Sequence, residues 1–216
     1  MSDNASIPLC NISNIVKVQD LFKLHFISFK YDWFGKPLNV KADFLLAYNT
    51  ERIYFAFKCE QKAFINPDHQ KKIYTLGLWE YDVVEFFLSD PKSGRYQEFN
   101  ISPAGSWWSM LFSEYRKEYP NHFILPQELE IISNLTENMW EVGFSIPLDQ
   151  LSLDFSDLKQ LTGNVTSIIN GRDRKYLSWA NIKSGKPDFH RNYCFVPLVT
   201  MKREIDFKDL TKIIML

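Results

Sequence analysis

Over most of the chain, apolar and polar residues alternate with a period of two, which is typical of β-strands. The segment Arg52–Cys59, RIYFAFKC, places Phe55 and Phe57 on one side and the residues between them on the other. The preceding segment ADFLLAY, residues 42–48, ends in turn-forming residues. We therefore predict that these two segments pair as a hairpin.

The same alternation recurs in short segments that are separated by turn residues. Proline and glycine supply the breaks, because proline cannot donate to a β-ladder and glycine tolerates a positive φ. Further strands are expected at Val83–Leu88, Tyr96–Ile101, Trp107–Phe112, Ile131–Leu135, Met139–Ile146 and Val165–Asn170. Helix is scarce: the pattern predicts only a short helix over Ser156–Leu161 and a terminal one over Asp206–Met215.

Many short strands without long intervening helices predict an all-β fold. We expect an antiparallel β-sandwich of two packed sheets, with jelly-roll or immunoglobulin-like topology. The absence of a long linker predicts a single domain over residues 1–216. Residues 40–200 form its core, residues 1–39 wrap its edge, and residues 201–216 extend its C-terminus.

Composition supports a folded protein with a large core. Of 216 residues, 45% are hydrophobic and 24% are charged, and the formal net charge is −1. These values exclude wholesale disorder and a collagen-like chain. Apolar stretches are too short to cross a bilayer, and no basic run is present, so neither a membrane nor a nucleic acid is expected as a partner. The 16% of aromatic residues also allow some rings to serve as binding platforms.

Cysteine and histidine give no sign of a metal site or cofactor. The three cysteines are far apart and odd in number, and the four histidines lack the spacing of zinc ligands. We expect no cofactor. The N-terminal residues lack the basic and apolar regions of a signal peptide, which leaves localisation open.

The first candidate site is the segment Leu78–Gly105, in which Trp79 precedes a predicted strand. Asp82 and Glu85 are three residues apart, so they lie on opposite faces of a strand and do not form a same-face pair. A carboxylate buried there needs a partner, such as Arg172 or a sugar hydroxyl. A structural ion pair is an equally good interpretation of Glu85.

The second candidate site is the segment Asn170–Cys194, a stretch rich in loop-forming residues. Its polar and aromatic side chains include Asn170, Arg172, Asp173, Arg174, Trp179, Asn181, Asp188 and His190. Such side chains bond hydroxyls directionally, while a flat indole covers the apolar face of a pyranose ring, so the combination favours a carbohydrate. His190 is expected instead to anchor the loop locally.

At these segments the chain resembles family 9 carbohydrate-binding modules and the wider DOMON-like group. The resemblance spans roughly residues 40–200 and rests on LWEYDVVEFFL, YQEFNISPAG, WEVGFSIPLDQL, NGRDRKYLSW and PDFHRNYCFVPL. It implies a β-sandwich in which two tryptophans clamp a sugar ring and a carboxylate holds its hydroxyls. Carried onto this sequence, Trp79 and Trp179 would form the clamp, and Glu85 would be the acceptor.

The resulting hypothesis is non-catalytic binding of a mono- or oligosaccharide, at the ends of glucan or xylan chains. The candidate ligand-binding residues are Trp79, Glu85, Trp179, Arg172, Asp82 and Asn170. Catalytic and metal-ligating residues are not expected.

Three alternatives remain open. A glycoside-processing enzyme would use carboxylates among Asp82, Glu85, Asp173 and Asp188. A haem-binding relative would need axial ligands among Met110, Met139, His122 and His190. A protein-binding surface would use one of the adjacent Trp107 and Trp108, whose rings point to opposite faces of a strand.

Overall fold

The computed structural model describes residues 6–12, 17–69, 72–120, 128–153, 157–169, 174–182 and 185–201. Within these residues the strands are β1 Ile7–Asn11, β2 Ile27–Ser28, β3 Ala42–Tyr48, β4 Arg52–Cys59, β5 Val83–Ser89, β6 Tyr96–Ile101, β7 Trp107–Glu114, β8 Lys117–Glu118, β9 Glu130–Leu135, β10 Trp140–Pro147, β11 Thr162–Ile169, β12 Lys175–Ser178 and β13 Val196–Thr200. The predicted strands are all present, with small shifts at their ends.

Helix is limited to one or two turns of 3-10 type among the described residues: Val18–Lys23, Leu78–Glu80, Leu148–Gln150, Leu158–Gln160 and Asn192–Cys194. The turn at Leu158–Gln160 is shorter than the helix predicted over 156–161, of which residues 157–161 are described. Asp157 caps this turn by accepting from the Lys159 N–H at 3.0 Å. The terminal helix predicted over 206–215 lies outside the described residues. No helix in the described ranges is long and apolar enough to cross a bilayer.

Hydrogen bonding connects the strands in the order β8-β7-β6-β5-β11-β13-β1-β3-β4-β10-β9, with β12 beside β11 and β2 beside β3. We call β5–β8 with β11 and β12 the first layer, and β2–β4 with β9 and β10 the second layer. All pairs are antiparallel except those of β1, which is parallel to both β13 and β3. These two pairs join the layers.

Ring contacts show that the layers are packed face to face. Phe55 of β4 stacks on Phe86 of β5 with centroids 5.5 Å apart and an interplanar angle of 9°. Phe144 of β10 contacts Phe99 of β6 at 5.9 Å. Because these strands are distant in the hydrogen-bonded order, such contacts arise only when one layer covers the other. The predicted all-β sandwich is confirmed.

The N-terminal segment contributes a strand that joins the two layers. Strand β1 lies inside the sheet order, between β13 and β3, and its Ile7 and Leu9 are fully buried in the central core. The 3-10 turn Val18–Lys23 then covers the outer face of the second layer. A Cβ at Gly143 would lie 2.9 Å from Val18 Cγ1, so the missing side chain lets this turn approach the sheet.

The adjacent tryptophans of β7 point to opposite faces, as predicted. Trp107 packs in the central core, whereas Trp108 lies on the outer face of the first layer. Both rings are buried. Neither is therefore the exposed anchor that the protein-binding alternative requires.

Candidate functional site

Strand alternation places two glutamates side by side on the outer face of the first layer. Glu85 shares its face of β5 with Val83 and Phe87, while the residues between them enter the central core. On β6 the alternation places Glu98 on that same outer face. In the antiparallel register Glu98 pairs with Phe87, and Glu85 pairs with Asn100, so the two glutamates are diagonal neighbours on adjacent strands. The two side chains are only 4% and 3% exposed.

Each glutamate receives one side-chain hydrogen bond, Glu85 from a neighbouring strand and Glu98 from its own strand. Thr166 of β11 donates its hydroxyl to Glu85 Oε2 at 2.8 Å, and Asn100 of β6 donates Nδ2 to Glu98 Oε1 at 2.9 Å. Within the described part of the chain, Glu98 Oε2 and Asn100 Oδ1 are buried and have no hydrogen-bond partner. These atoms leave acceptor capacity for a ligand, because buried polar atoms are normally satisfied.

Burial changes the protonation of this pair. Loss of solvent raises the pKa of Glu85 to about 7, partly offset by the Thr166 hydrogen bond. Burial, and then the nearby Glu85 charge, raise the pKa of Glu98 well above its ordinary value. Near neutral pH the pair therefore retains a proton. A protonated carboxyl can donate a hydrogen bond as well as accept one. The pair Glu85 and Glu98, which we call the floor of the site, can therefore both donate to and accept from sugar hydroxyls.

One wall of the site is a hydrogen-bonded network around His190. The Tyr96 hydroxyl accepts from the Arg116 backbone N–H at 3.0 Å and lies 2.9 Å from His190 Nδ1. Burial lowers the pKa of His190 to about 4, so the ring is neutral at physiological pH. With Nδ1 accepting the Tyr96 proton, Nε2 carries the hydrogen and faces Glu98 Oε2 at 3.8 Å.

The guanidinium of Arg116 is held above the same floor. Its Nη2 and Nε donate to Asp188 Oδ1 at 2.8 and 3.3 Å. Tyr115 donates its hydroxyl to the other oxygen of Asp188. Asp188 therefore fixes Arg116 in position, and the positive charge of Arg116 favours the ionised forms of Glu85 and Glu98.

The rim carries a half-exposed tryptophan. Trp79 lies in the 3-10 turn Leu78–Glu80, which begins after Gly77 at a φ of 81° that favours glycine. Its ring is 38% exposed and contacts the buried Trp108 edge to face, with centroids 5.8 Å apart. Arg174 donates to the Glu80 carbonyl at 2.8 Å and ties this turn to the start of β12. The indole is therefore held in place while part of it remains open to solvent.

Floor, wall and rim enclose a cavity of about 430 Å³. This volume falls within the range of about 300 to 1,000 Å³ that is typical of small-molecule sites. The side chains that line it include Trp79, Glu85, Glu98, Trp108, Arg116, Tyr176 and His190. The sequence-based hypothesis placed Trp79 and Glu85 at one site, and the structure brings them to one cavity.

Trp179 lines a different cavity, of about 820 Å³. Its indole N–H donates to the Ser6 carbonyl at 2.8 Å, and its ring packs edge-on against Phe29 and Phe44 of the central core. The expected clamp between Trp79 and Trp179 is therefore not formed in this structure. The physical reason is that the Trp179 backbone continues the pairing of β12 with β11, which directs the ring towards the second layer.

A family comparison identifies the chain. The model of carbohydrate-binding family 9 matches residues 16–200. The chain belongs to carbohydrate-binding family 9. This membership confirms the predicted resemblance and the predicted non-catalytic binding of carbohydrate. No curated protein matches the sequence significantly.

Three solved structures share the fold of this chain. A putative carbohydrate-binding protein from Bacteroides uniformis is 17% identical with a TM-score of 0.71, covering 91% of this chain and 99% of that one. A family 9 module from Caldicellulosiruptor kristjanssonii in complex with glucose is 11% identical with a TM-score of 0.60, covering 93% and 98%. A family 9 module from the same organism, in complex with cellotriose, is 12% identical with a TM-score of 0.58, covering 92% and 95%.

Of the remaining predicted site residues, the structure describes only Asp82. Asp82 is fully buried and does not line the cavity: its Oδ2 accepts from the Phe64 N–H at 2.9 Å, which ties the turn before β5 to a neighbouring loop. Asn170 and Arg172 lie outside the described residues, so their predicted roles remain untested. Thr166 is the partner that the structure shows for Glu85.

The described residues bear differently on the enzyme and haem alternatives. Of the four carboxylates proposed for a glycoside-processing enzyme, Glu85 and Asp188 line the cavity and Asp82 does not. Asp188 is engaged by Arg116 and Tyr115. Asp173 and His122 are outside the described residues, and Met110 does not share the lining of the cavity with His190. Within the described residues, no three His, Cys, Asp or Glu side chains form a metal-binding cluster.

Sequence reasoning missed Glu98, Arg116 and Tyr176. A signal for Glu98 was present, since alternation in YQEFNI places it on the same face as Tyr96 and Asn100. Arg116 carried no comparable signal. It lies in a two-residue turn between β7 and β8 with a φ of 52° and reaches Asp188 across the fold.

Proposed function

We propose that this chain binds the terminal glucose- or xylose-type residue of a mono- or oligosaccharide in the cavity beneath Trp79. The observation that carries the proposal is the pair of buried carboxyls, Glu85 and Glu98, facing a cavity whose rim is a half-exposed indole. The glucose and cellotriose bound to family 9 modules of Caldicellulosiruptor kristjanssonii support sugars of this class.

In this proposal Trp79 is the stacking platform. Trp108 lies edge to face against Trp79, too close for a sugar ring to enter between them, so the exposed part of Trp79 receives the ligand. The apolar C–H face of a pyranose covers that surface. Stacking of this kind adds about 1 kcal/mol beyond the burial of area.

The carboxyl pair supplies the directional part of the binding. An ionised Glu85 accepts from one hydroxyl, while a protonated Glu98 donates to or accepts from its neighbour. Each net hydrogen bond contributes about 1 kcal/mol, and bonds to a charged group contribute about 1.5 to 3 kcal/mol. After the entropic cost of association, micromolar to millimolar dissociation constants follow.

The test is isothermal titration calorimetry with glucose, cellobiose, xylobiose and their reduced alditols. We expect Trp79→Ala to weaken sugar binding by about tenfold, which corresponds to about 1.4 kcal/mol. The matched control is Phe34→Ala, which removes a ring that is 61% exposed and lines the larger cavity. This control is expected to bind normally.

Two results would contradict the proposal. One is an absence of heat for every sugar with the folded wild-type protein. The other is loss of binding in Phe34→Ala but not in Trp79→Ala, which would move the site to the larger cavity.

A further inference from the structure

Resting on the proposed function, we infer that the acidic floor of the cavity selects amino sugars with a free, protonated amino group over their neutral counterparts. The ligand class is a hexosamine of the glucosamine type, alone or at the end of a chain. The amino group would lie on the floor between Glu85 and Glu98, with the ring against Trp79.

The charges around the cavity favour a cation. Glu85, Glu98, Glu118 and Asp188 line it, against the two positive side chains Arg116 and Arg174. The Arg116 guanidinium donates to Asp188, and Arg174 donates to a backbone carbonyl of the rim. His190 is neutral at physiological pH, since burial lowers its pKa to about 4. The two glutamates of the floor are therefore left without a hydrogen-bonded cation in the described structure.

The floor offers an ammonium group more than one acceptor. Glu98 Oε2 is buried without a hydrogen-bond partner among the described residues, and both Glu98 and Glu85 line the cavity. Glu85 lies directly opposite Asn100 in the register, and Glu98 is two positions away on the same strand face. An ammonium offers three donors, whereas a hydroxyl offers one. One amino group can thus satisfy acceptors that a single hydroxyl leaves unpaired.

Electrostatic strength also favours the amine. Bonds between an ammonium and a carboxylate are charge-assisted and about twice as strong as neutral ones. A neutral sugar leaves one proton on the glutamate pair. A bound ammonium stabilises both ionised carboxylates, and the displaced proton passes to solvent.

The experiment compares glucosamine, N-acetylglucosamine and glucose by titration calorimetry on the full chain. It is performed at low salt and about pH 7, below the ordinary pKa of an amine of about 7.7 and close to the pKa of about 7 of Glu85. We expect glucosamine to bind about tenfold more tightly than glucose. N-acetylglucosamine should lose this advantage, because its amide carries no charge.

Two variants test whether the floor of the cavity causes the preference for glucosamine. Glu98→Gln preserves the shape of the side chain and an acceptor for Asn100, and it should remove most of the glucosamine advantage. Glu114→Gln removes the same charge from an exposed pair with Lys117 outside the cavity and should retain the advantage. Circular dichroism spectra and melting curves establish that each variant is folded.

Each outcome discriminates. Equal affinities of the wild-type protein for glucose and glucosamine overturn this inference and leave sugar binding intact. A glucosamine preference that persists in Glu98→Gln also overturns it. Failure of every sugar to bind the folded wild-type protein would reject the proposed function itself.

Discussion

The two outer faces of the sandwich follow the same strand alternation but differ in their side chains and in what covers them. On the second layer, apolar Leu45 and Ala56 are covered by Val18 and Leu21 of the 3-10 turn Val18–Lys23, and they form a closed cluster. On the first layer, aromatic side chains form a second outer cluster, but two glutamates lie among them and a cavity remains above the sheet.

The difference shows where stability and function separate in this fold. A buried apolar face gains free energy in proportion to the area removed from water. Burying a carboxylate without an opposite charge makes folding less favourable unless a ligand or a bound proton compensates for the charge. The first layer therefore carries groups that destabilise the empty protein and become favourable when a ligand occupies the cavity.

We call the outer face of the second layer the closed face, and the outer face of the first layer, which carries the cavity, the open face. The largest expected effect tests the closed face. Leu21→Ala should lower the free energy of unfolding by about 2 to 5 kcal/mol, because it removes a fully buried side chain and leaves a void. Sugar affinity of the folded variant should stay unchanged, since the cluster lies on the opposite layer. Urea denaturation and titration calorimetry measure the two quantities. A large change in affinity together with normal folding would show that the two faces are coupled.

A smaller effect is expected from pH and should come from the open face alone. Glu85 has an ordinary pKa of 4.5 and a folded-state pKa of about 7, so the folded state binds more protons than the unfolded state within this range. Glu98 is shifted in the same direction. Stability contributed by these groups is therefore lost as the pH rises through their folded-state pKa values. His190 acts in the opposite sense, but only between its lowered pKa of about 4 and its ordinary 6.5.

The window between about pH 6.5 and pH 8 thus isolates the glutamates, and the free energy of unfolding should fall by about 1 to 2 kcal/mol across it. Glu98→Gln should flatten this decline. The closed face supplies a control, because burial raises the pKa values of Cys10 and Tyr54 above their ordinary 9.0 and 10.0. Denaturation at several pH values measures the slope. Glu85 should leave a shallower slope in Glu98→Gln, and a slope as steep as that of the wild-type protein would assign the effect elsewhere.

Most strands could be predicted from the sequence because alternation and turn chemistry are local properties. The segments Ala42–Tyr48 and Arg52–Cys59 match the structure to the residue for this reason. The place of β1 could not be predicted. Its pairing with β13 and β3 depends on which strands meet across the fold, and an apolar strand of five residues is equally consistent with an edge.

The same division holds for the site. Trp79 and Glu85 could be predicted as site residues from the sequence, because they lie six residues apart and share a recognisable motif. Trp179 lay within a motif too, but the direction of its ring depends on contacts with Phe29 and Phe44, which lie far away in the sequence. The position of Arg116 likewise depends on an ion pair with Asp188.

The smallest effect concerns a single hydroxyl beside the glutamate pair. Thr166→Val keeps the β-branched shape but removes the donor that lies 2.8 Å from Glu85 Oε2. Because this bond favours the ionised carboxylate, its loss should raise the pKa of Glu85 further above the ordinary value. At neutral pH a smaller fraction of Glu85 is then ionised. Sugar binding should weaken by about 0.5 to 1.5 kcal/mol, and its pH midpoint should move upward.

Ser167→Ala is the matched control for this change. Ser167 is also a buried hydroxyl of β11, but it donates to the Val83 carbonyl instead of a carboxylate. It should leave the pH midpoint of sugar binding where it is in the wild-type protein. Equal shifts in both variants would mean that strand β11 transmits a general distortion. A shift confined to Thr166→Val would show that one hydrogen bond on the open face sets the charge that Glu85 presents to the ligand.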